Sequence, residues 1–365
     1  MGFKCGIVGL PNVGKSTLFN ALTSTQAAAA ANYPFCTIEP NTGIVGVPDP
    51  RLSELAKIAG SAKIIPASME FVDIAGLVKG ASKGEGLGNQ FLGHIRQVDA
   101  IIHVLRCFDD QDITHVHGTV DPLFDAEVIE TELVLADLES IEKRLKAAEK
   151  KQHGGDKTLK DQVELLKIVY DCLAEGNPAR TLLGKVTQDE LNQLQIISAK
   201  PILYVCNVLE KEAATGNNYS KTIQEKAAKE GAKAIIISSK IEEEISQFES
   251  EDDKLEFLKE IGLTETGLSQ IIRAGYNLLS LKSYFTIGPK EARAWTFTTG
   301  TLAPQAAGII HTDFEKGFIR AEVIAYDDYI KYNGETKAKE VGKMRLEGKE
   351  YVVQDGDVVH FRFNV

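Results

Sequence analysis

The stretch Gly9-Leu10-Pro11-Asn12-Val13-Gly14-Lys15-Ser16-Thr17 carries the strongest structural signal in the chain. It matches the phosphate-binding pattern G-x-x-x-x-G-K-[ST] at every fixed position. Gly9 and Gly14 allow the backbone to wrap closely around an anion, so that its N–H groups form a nest for phosphate. Lys15 would reach the outer phosphates, and the Ser16 hydroxyl would bind Mg²⁺. The stretch therefore predicts a nucleotide-binding loop.

The residues on either side of this loop fit a strand and a helix. Residues 3–8 are mostly apolar and indicate a short buried strand, while Leu18, Phe19 and Leu22 mark the inner face of a helix over 16–22. This order places bound phosphates at a helix N-terminus, where the backbone dipoles favour negative charge. The predicted fold class is α/β, with a P-loop NTPase domain.

The composition favours a globular protein that does not bind nucleic acid generally. The 365 residues carry 41 Lys and Arg against 52 Asp and Glu, a net charge of −11. Because a negative chain binds polyanions poorly, we expect no DNA partner and only a local RNA contact. Residues 281–365 are the better candidate for that contact, since their 12 basic side chains balance 12 acidic ones.

The sequence also suggests a cellular location. No apolar run approaches the roughly 20 residues that cross a bilayer, and the N-terminus enters the first strand without a signal peptide, so we expect no membrane partner. The five cysteines are widely spaced and form no C-x-x-C pair, which is typical of a reducing compartment. We therefore expect a cytoplasmic protein.

Two segments downstream fit the metal-binding positions of P-loop nucleotidases. Thr37 lies in a proline-containing loop after the first helix, where it would complete the Mg²⁺ shell and sense the γ-phosphate. A plain surface loop is the alternative. Asp73 ends a buried strand in a D-x-x-G pattern that closes at Gly76, and its carboxylate would hold Mg²⁺ through a water molecule.

The next residue, Leu77, stands where Ras-type enzymes have a glutamine that orients the attacking water. Leucine can neither donate nor accept a hydrogen bond, so any hydrolysis needs another group to place the water. His103 lies within an apolar strand over residues 100–108 and is more simply a structural histidine than that group.

A change in the spacing of apolar residues predicts an inserted helical hairpin. Apolar residues recur at helical spacing over residues 125–151 and again over 159–173, with a Gly-Gly turn between them. At 1.5 Å per residue each arm would be roughly 35 Å long. Such an arm could act as a lever or docking surface, or it could simply brace the structure.

On the base side of the site, the chain reads Asn207-Val208-Leu209-Glu210 where GTPases have N-K-x-D. The lysine is lost, and Glu210 carries the carboxylate one methylene further out than an aspartate would. Guanine recognition should therefore be impaired, whereas adenine can be read by backbone groups. Residues 234–240 form a last strand and loop on the other side of the base, and the acidic run 242–260 predicts a solvated helix face.

The C-terminal residues change to short strands and turns around one helix. Strands are predicted over residues 293–298, 318–326, 351–353 and 358–363, with a helix over 301–310. This pattern predicts a small α+β module. The predicted domains are a nucleotide-binding domain over 1–122 and 198–280, a helical hairpin over 123–197, and a C-terminal domain over 281–365.

These motifs together resemble the Obg-like ATPases of the YchF subfamily. The resemblance rests on residues 9–17, 32–41 and 73–80 and on the departure at 207–210, and it covers essentially the whole chain. Residues 303–321 look like the TGS domain of that subfamily, which implies a ubiquitin-like β-grasp.

The resemblance implies functional properties that the spacing of residues does not. It implies a preference for ATP, read by the backbone at Val208, and a role for His115 in place of the missing glutamine. Asn12 resembles a loop asparagine of potassium-stimulated relatives, which implies K⁺ beside Mg²⁺ as a cofactor. Association with the ribosome, through the large subunit or the whole particle, is implied for the TGS domain and its facing cleft.

Three hypotheses follow. The first is an Mg²⁺-dependent ATPase, weaker on GTP, that acts as a slow ribosome-associated switch. The second is an Obg-type GTPase, since Glu210 keeps an acceptor near the base, and the third is a nucleotide-gated binding module with incidental turnover. The candidate site residues are Lys15 and His115 for catalysis; Asn12, Val13, Gly14, Lys15, Ser16, Thr17, Asn207, Val208 and Glu210 for nucleotide binding; and Ser16, Thr37 and, through water, Asp73 for the metal.

Overall fold

The computed structural model describes residues 3–24, 41–75, 87–116, 118–151, 157–248 and 250–364. The predictions made for Thr37, Gly76 and Leu77 lie outside these residues. The strands are β1 (Lys4–Val8), β2 (Thr42–Gly46), β3 (Ile64–Ile65), β4 (Ser68–Asp73), β5 (Ala100–Arg106), β6 (Ile202–Asn207), β7 (Lys233–Ile237), β8 (Leu281–Ile287), β9 (Ala292–Thr298), β10 (Phe318–Ala325), β11 (Arg345–Glu347) and β12 (Asp357–Phe363).

The α-helices lie between and around these strands, and none in the described part of the chain has the length and apolarity to cross a membrane. They are α1 (Lys15–Ser24), α2 (Pro50–Ala59), α3 (Leu87–Gln97), α4 (Pro122–Lys151), α5 (Lys157–Ala174), α6 (Gln188–Gln193), α7 (Asn218–Lys229), α8 (Ser239–Ile245), α9 (Glu251–Glu260), α10 (Gly267–Leu278), α11 (Ala303–Ile310), α12 (Thr312–Lys316), α13 (Tyr326–Lys331) and α14 (Glu335–Glu340).

The first sheet has the strand order β2-β4-β1-β5-β6-β7, and all its pairings are parallel except that of β2 with β4. Every residue of β5 and β6 is buried, as expected for central parallel strands covered on both faces. The five strands of the nucleotide-binding region predicted from the sequence are all present. Because the carboxyl ends of parallel strands meet at one edge, the segments after β1, β4, β6 and β7 converge there.

The two arms of the hairpin, α4 and α5, pack against each other but are unequal. With 30 and 18 residues, they are about 45 Å and 27 Å long at 1.5 Å per residue. The prediction of equal arms was wrong because the first turns of α4 belong to the core of the nucleotide-binding region, where Ala126, Ile129 and Leu133 are buried. Further out, α4 and α5 share a separate apolar core. The predicted Gly-Gly turn lies outside the described residues.

A largely buried charged cluster joins the hairpin to the first sheet. Arg180, beyond α5, contacts Glu130 of α4 and lies 3.2 Å from a carboxylate oxygen of Glu230. Lys226 of α7 bonds to both carboxylates, at 3.1 Å to Glu130 and 2.5 Å to Glu230. The Tyr204 hydroxyl of β6 completes the group by donating to Glu230 at 2.9 Å. With both signs of charge paired, the cluster is stable where an isolated buried charge would not be.

The second sheet has the strand order β11-β10-β12-β8-β9-β3 and packs against α11. Its last strand, β3, comes from the N-terminal part of the chain and pairs in parallel with β9, so the sheet itself spans the two regions. Arg51 of α2 strengthens this junction by pairing with Asp355 at 3.1 Å and lying 5.3 Å from the centre of the Phe285 ring.

Most of the predicted C-terminal elements are confirmed, but residues 351–353 are not a strand. They make one isolated bridge, between Val352 and Leu302. The strand β8 was missed, because residues 281–287 mix polar and apolar side chains without a clear alternation.

The prediction of a solvated acidic face over residues 242–260 was wrong at Glu242. This carboxylate is buried and accepts hydrogen bonds from the N–H groups of Gly267, at 2.7 Å, and Leu268, at 3.1 Å, at the start of α10. Burial raises its pKa, although the two N–H groups oppose this. Glu242 thus satisfies helix N–H groups that would otherwise lie buried without partners.

His103 occupies the core, as expected for a structural histidine. It is 1% exposed, its ring lies 5.8 Å from that of Tyr204, and its Nε2 has no hydrogen-bond partner among the described residues. Burial, together with the nearby positive charges of Arg180 and Lys226, lowers the pKa of His103 to about 3. The folded protein therefore resists a proton that the unfolded chain accepts near pH 6.5.

We predict that His103 makes the protein acid-sensitive. A folded-state pKa below the unfolded value means that stability is full above about pH 6.5 and falls towards the folded pKa, by at most about 1.4 kcal/mol per pH unit. Replacing His103 with phenylalanine should flatten this slope, which denaturant unfolding at several pH values between about 6.5 and 4 would measure. The control His94→Phe replaces an exposed histidine of α3 and should keep the wild-type slope. An unchanged slope in His103→Phe would contradict the assignment.

Candidate nucleotide-binding site

The phosphate-binding loop connects β1 to α1, as the sequence predicts. Asn12 and Gly14 adopt left-handed backbone angles, with φ of 65° and 91°. A Cβ atom at Gly14 would collide with the Asn207 side chain, and one at Gly9 would lie 2.7 Å from the carbonyl oxygen of Val104. Close packing therefore requires glycine at both positions, and the left-handed backbone conformation is a second reason at Gly14.

Lys15 and Asp73 meet at the edge of the sheet. The Lys15 ammonium, at the start of α1, forms an ion pair with the Asp73 carboxylate at the end of β4, and both side chains are largely buried, at 11% and 18% exposure. The structure thus brings together the group predicted for the outer phosphates and the carboxylate predicted for the metal. Ser16 follows directly in the first turn of α1.

The side chain of Asn207 holds the loop in place. Its Nδ2 donates to the Val13 carbonyl at 2.9 Å, and its Oδ1 accepts from the Ser239 N–H at 2.9 Å. Asn207 is 5% exposed, so both bonds are shielded from water. The Asn207 amide thus connects the phosphate loop to the start of α8, and the contact with the nucleotide predicted for Asn207 stays a prediction. Sequence reasoning missed Ser239, since a backbone N–H leaves no signature in side-chain type.

The base-side residues are held in two different ways. The Val208 N–H donates to the Ile237 carbonyl at 2.8 Å. The backbone contact with adenine that we predicted at Val208 would therefore be made by the Val208 carbonyl group. The Glu210 carboxylate lies on the surface and pairs with the Lys240 ammonium at 2.5 Å. The hydrogen bond from Lys240 lowers the pKa of Glu210, so this carboxylate stays charged.

His115 does not point at the phosphate loop. Its side chain is 4% exposed and its Nε2 lies 2.9 Å from Oδ2 of Asp125, in the first turn of α4. The preceding residue nevertheless touches the loop, because Asn12 Nδ2 donates to the Thr114 carbonyl at 3.1 Å. The structure brings Lys15 and Asp73 together and leaves the His115 ring bonded to the first turn of α4.

Arg106 organises the segment that leads to His115. It is 2% exposed and donates to the carbonyls of Phe108, Asp110 and Ile113 at 3.1, 3.1 and 2.9 Å. Its guanidinium also lies 4.8 Å from the centre of the Phe108 ring. Sequence reasoning did not single out Arg106, although an arginine at the end of an otherwise apolar strand was a usable signal.

A phosphate loop between the first strand and helix, a carboxylate at the end of a neighbouring strand and a base-side asparagine define a P-loop nucleoside triphosphate hydrolase. Residues 4–125 match the family model described as 50S ribosome-binding GTPase. Residues 281–364 match the model for the C-terminal domain of YchF GTPases, described as a protein of unknown function.

Full-length relatives identify the family within this class of proteins. The chain is 56% identical to the ribosome-binding ATPase YchF of Haemophilus influenzae and 55% identical to that of Bacillus subtilis, in each case over all of both chains. The solved YchF GTPase of Schizosaccharomyces pombe superposes with a TM-score of 0.89 at 40% identity, covering 99% of this chain and 98% of that one. The chain therefore belongs to the YchF family.

We predict that Asn207→Ala weakens nucleotide binding by loosening the phosphate loop, and not by removing a contact with the nucleotide. The change leaves the Val13 carbonyl and the Ser239 N–H buried without their partner, at a cost of about 1–3 kcal/mol each. Calorimetric titration with ATP and Mg²⁺ should show at least a roughly tenfold loss of affinity. Asn192→Ala, which removes an exposed amide on α6 that accepts from Gln188, should bind as wild type. Equal affinity in both variants would show that the loop holds its shape without Asn207.

Proposed function

We propose that this chain is an Mg²⁺-dependent ATPase that binds GTP more weakly and serves as a ribosome-associated nucleotide switch. The observation that favours ATP over GTP concerns residues 207–210. Their one carboxylate, that of Glu210, is paired with Lys240 and so is not free to bind guanine. The relatives over the full length are named ribosome-binding ATPases, which supports the same choice.

The two bases differ in the hydrogen-bond groups that they present to the protein. Guanine offers two adjacent N–H donors, which GTPases bind with a buried aspartate, whereas Glu210 is longer, half-exposed and paired with Lys240. Adenine offers an exocyclic amino donor, which needs an acceptor such as the Val208 carbonyl. The carbonyl suits adenine and repels the oxygen that guanine carries at the corresponding position.

The groups around the phosphate loop suit a hydrolase. Lys15 would exchange its Asp73 partner for the outer phosphate oxygens and stabilise the charge that develops on them. The donors near the loop are the hydroxyl of Ser16 and the carboxylate of Asp73, an oxygen set that fits Mg²⁺; Ser16 and Thr37 would bind the ion directly and Asp73 through water. Bound there, Mg²⁺ would supply charge neutralisation across the β- and γ-phosphates.

His115 and Asn12 have supporting roles in this proposal. Without a glutamine at position 77, His115 would place the attacking water, which makes the reaction slow and suits a switch better than a metabolic enzyme. For K⁺, the Asn12 amide oxygen is the candidate ligand, because its nitrogen already donates to Thr114.

The ribosome is proposed as the partner on the strength of the relatives' names and of the family model described as ribosome-binding. We place the ribosome contact, to the large subunit or to the whole particle, on residues 281–365. These residues carry equal numbers of basic and acidic side chains, so they repel RNA less than the negatively charged rest of the chain does. This partner also implies a cytoplasmic location.

Competition of ATP and GTP for the same site tests the proposal. A fluorescent nucleotide analogue bound in the presence of Mg²⁺ should be displaced by ATP at concentrations at least roughly tenfold below those of GTP, since one well-made hydrogen-bond pattern is worth about that factor. Omission of Mg²⁺ should abolish hydrolysis.

The specific alternative is an Obg-type GTPase, which the names of the family model and of the Schizosaccharomyces pombe structure favour. In that case GTP displaces the analogue at the lower concentration, Glu210 leaves Lys240 to bind guanine, and the preference for ATP is wrong.

A further inference from the structure

The histidine proposed to place the water lies in a position from which it cannot do so. The His115 ring is buried against α4 and hydrogen-bonded to Asp125, although the backbone one residue earlier touches the phosphate loop. A general base or water-placing group must come within hydrogen-bond reach of the water it acts on. The ring must therefore leave Asp125 before it can serve the reaction.

The backbone on the N-terminal side of His115 is held firmly. Asn12 fixes the Thr114 carbonyl, and the three hydrogen bonds of Arg106 fix the loop from Phe108 to Ile113. With this anchor in place, rotation of the His115 side chain can change its partner without refolding the loop. The ring would then exchange its bond to Asp125 for a place at the phosphate site.

Asp125 is well placed to hold the ring. It is fully buried, at 0% exposure, and it lies in the first turn of α4, where the helix packs on the core of the nucleotide-binding region. A hydrogen bond to a carboxylate that is shielded from water is stronger than one between neutral groups. The bond is therefore a real barrier to rotation of the ring.

We propose that Asp125 is a positioning residue that retains His115 on α4, so that hydrolysis waits until this bond breaks. This inference rests on the proposed function and deepens it. Because α4 continues from Asp125 into the long arm of the hairpin, the same bond connects turnover at the phosphate loop to the position of the hairpin. A ligand that displaces the base of α4 would release His115 and accelerate hydrolysis.

The test compares steady-state ATP hydrolysis in wild type, Asp125→Asn, His115→Ala and the double variant. Asparagine keeps the volume and one acceptor but removes the charge, so the retaining bond weakens. We expect kcat to rise roughly five- to tenfold in Asp125→Asn, because a weaker neutral hydrogen bond replaces a charge-assisted one, with KM for ATP unchanged. In the His115→Ala background the same substitution should give no rise.

Asp137→Asn provides the matched control. Asp137 is also a buried aspartate of α4, but it accepts from the N–H groups of Ile197 and Ser198, at 3.0 and 2.7 Å, within the hairpin region. A variant that only loosens the hairpin core should leave kcat as in wild type. A rise in Asp137→Asn equal to that in Asp125→Asn would overturn the proposal, as would a rise that persists without His115.

The remaining outcomes are also decisive. Unchanged or lowered kcat in a folded Asp125→Asn variant overturns the inference while leaving the ATPase intact. Absence of ATP hydrolysis by the wild type contradicts the proposed function instead.

A second measurement uses the unaltered protein and so does not depend on a variant that folds. Exchange of the His115 C2 proton with deuterated solvent, followed by mass spectrometry, reports exposure of the ring. We expect slow exchange in the protein alone and faster exchange with Mg²⁺ and a non-hydrolysable ATP analogue. Slow exchange under both conditions would show that the ring is never released, and the proposal would fail.

Discussion

The side-chain amide of Asn207 is the interaction on which the site depends. It donates to the phosphate loop at Val13 and accepts from the backbone at Ser239, so it links the segments that follow β1, β6 and β7. Both bonds are buried, and their loss would leave two backbone groups unpaired, at about 1–3 kcal/mol each. Gly14 has no side chain because the amide occupies the space that a Cβ would need. The shape of the loop, and with it the place of Lys15, therefore depends on a residue that follows almost two hundred positions later in the chain.

The same arrangement would allow a site to lose its recognition of guanine without losing the nucleotide. The asparagine of the base motif has a structural task and must stay, whereas the carboxylate at Glu210 lies on the surface and pairs with Lys240. Loss of a contact with the base would lower the specificity for guanine, whereas loss of the Asn207 amide would disrupt the shape of the phosphate loop. The two ends of one four-residue motif are thus under different physical constraints.

The sequence predicted the parts of the fold that follow from local chemistry. The loop at residues 9–17, the apolar strands β1, β4, β5, β6 and β7 and the inserted helices could all be found, because glycine spacing and hydrophobic period act over short distances. Long-range contacts could not be predicted in this way. Nothing near His115 in the sequence shows that its ring pairs with Asp125. The burial of Glu242 likewise depends on α10, which follows it in the chain. The parallel pairing of β3 with β9 was likewise invisible, since two residues form too short a pattern.

A crystal structure of the protein with Mg²⁺ and a non-hydrolysable ATP analogue tests the central role of Asn207 most directly. We predict that Lys15 separates from Asp73 to bind the outer phosphates, while Asn207 keeps both of its bonds, to Val13 and to Ser239. If the Asn207 side chain instead turns to the base and gives up those bonds, the amide reads the nucleotide, and the loop must be held by other groups.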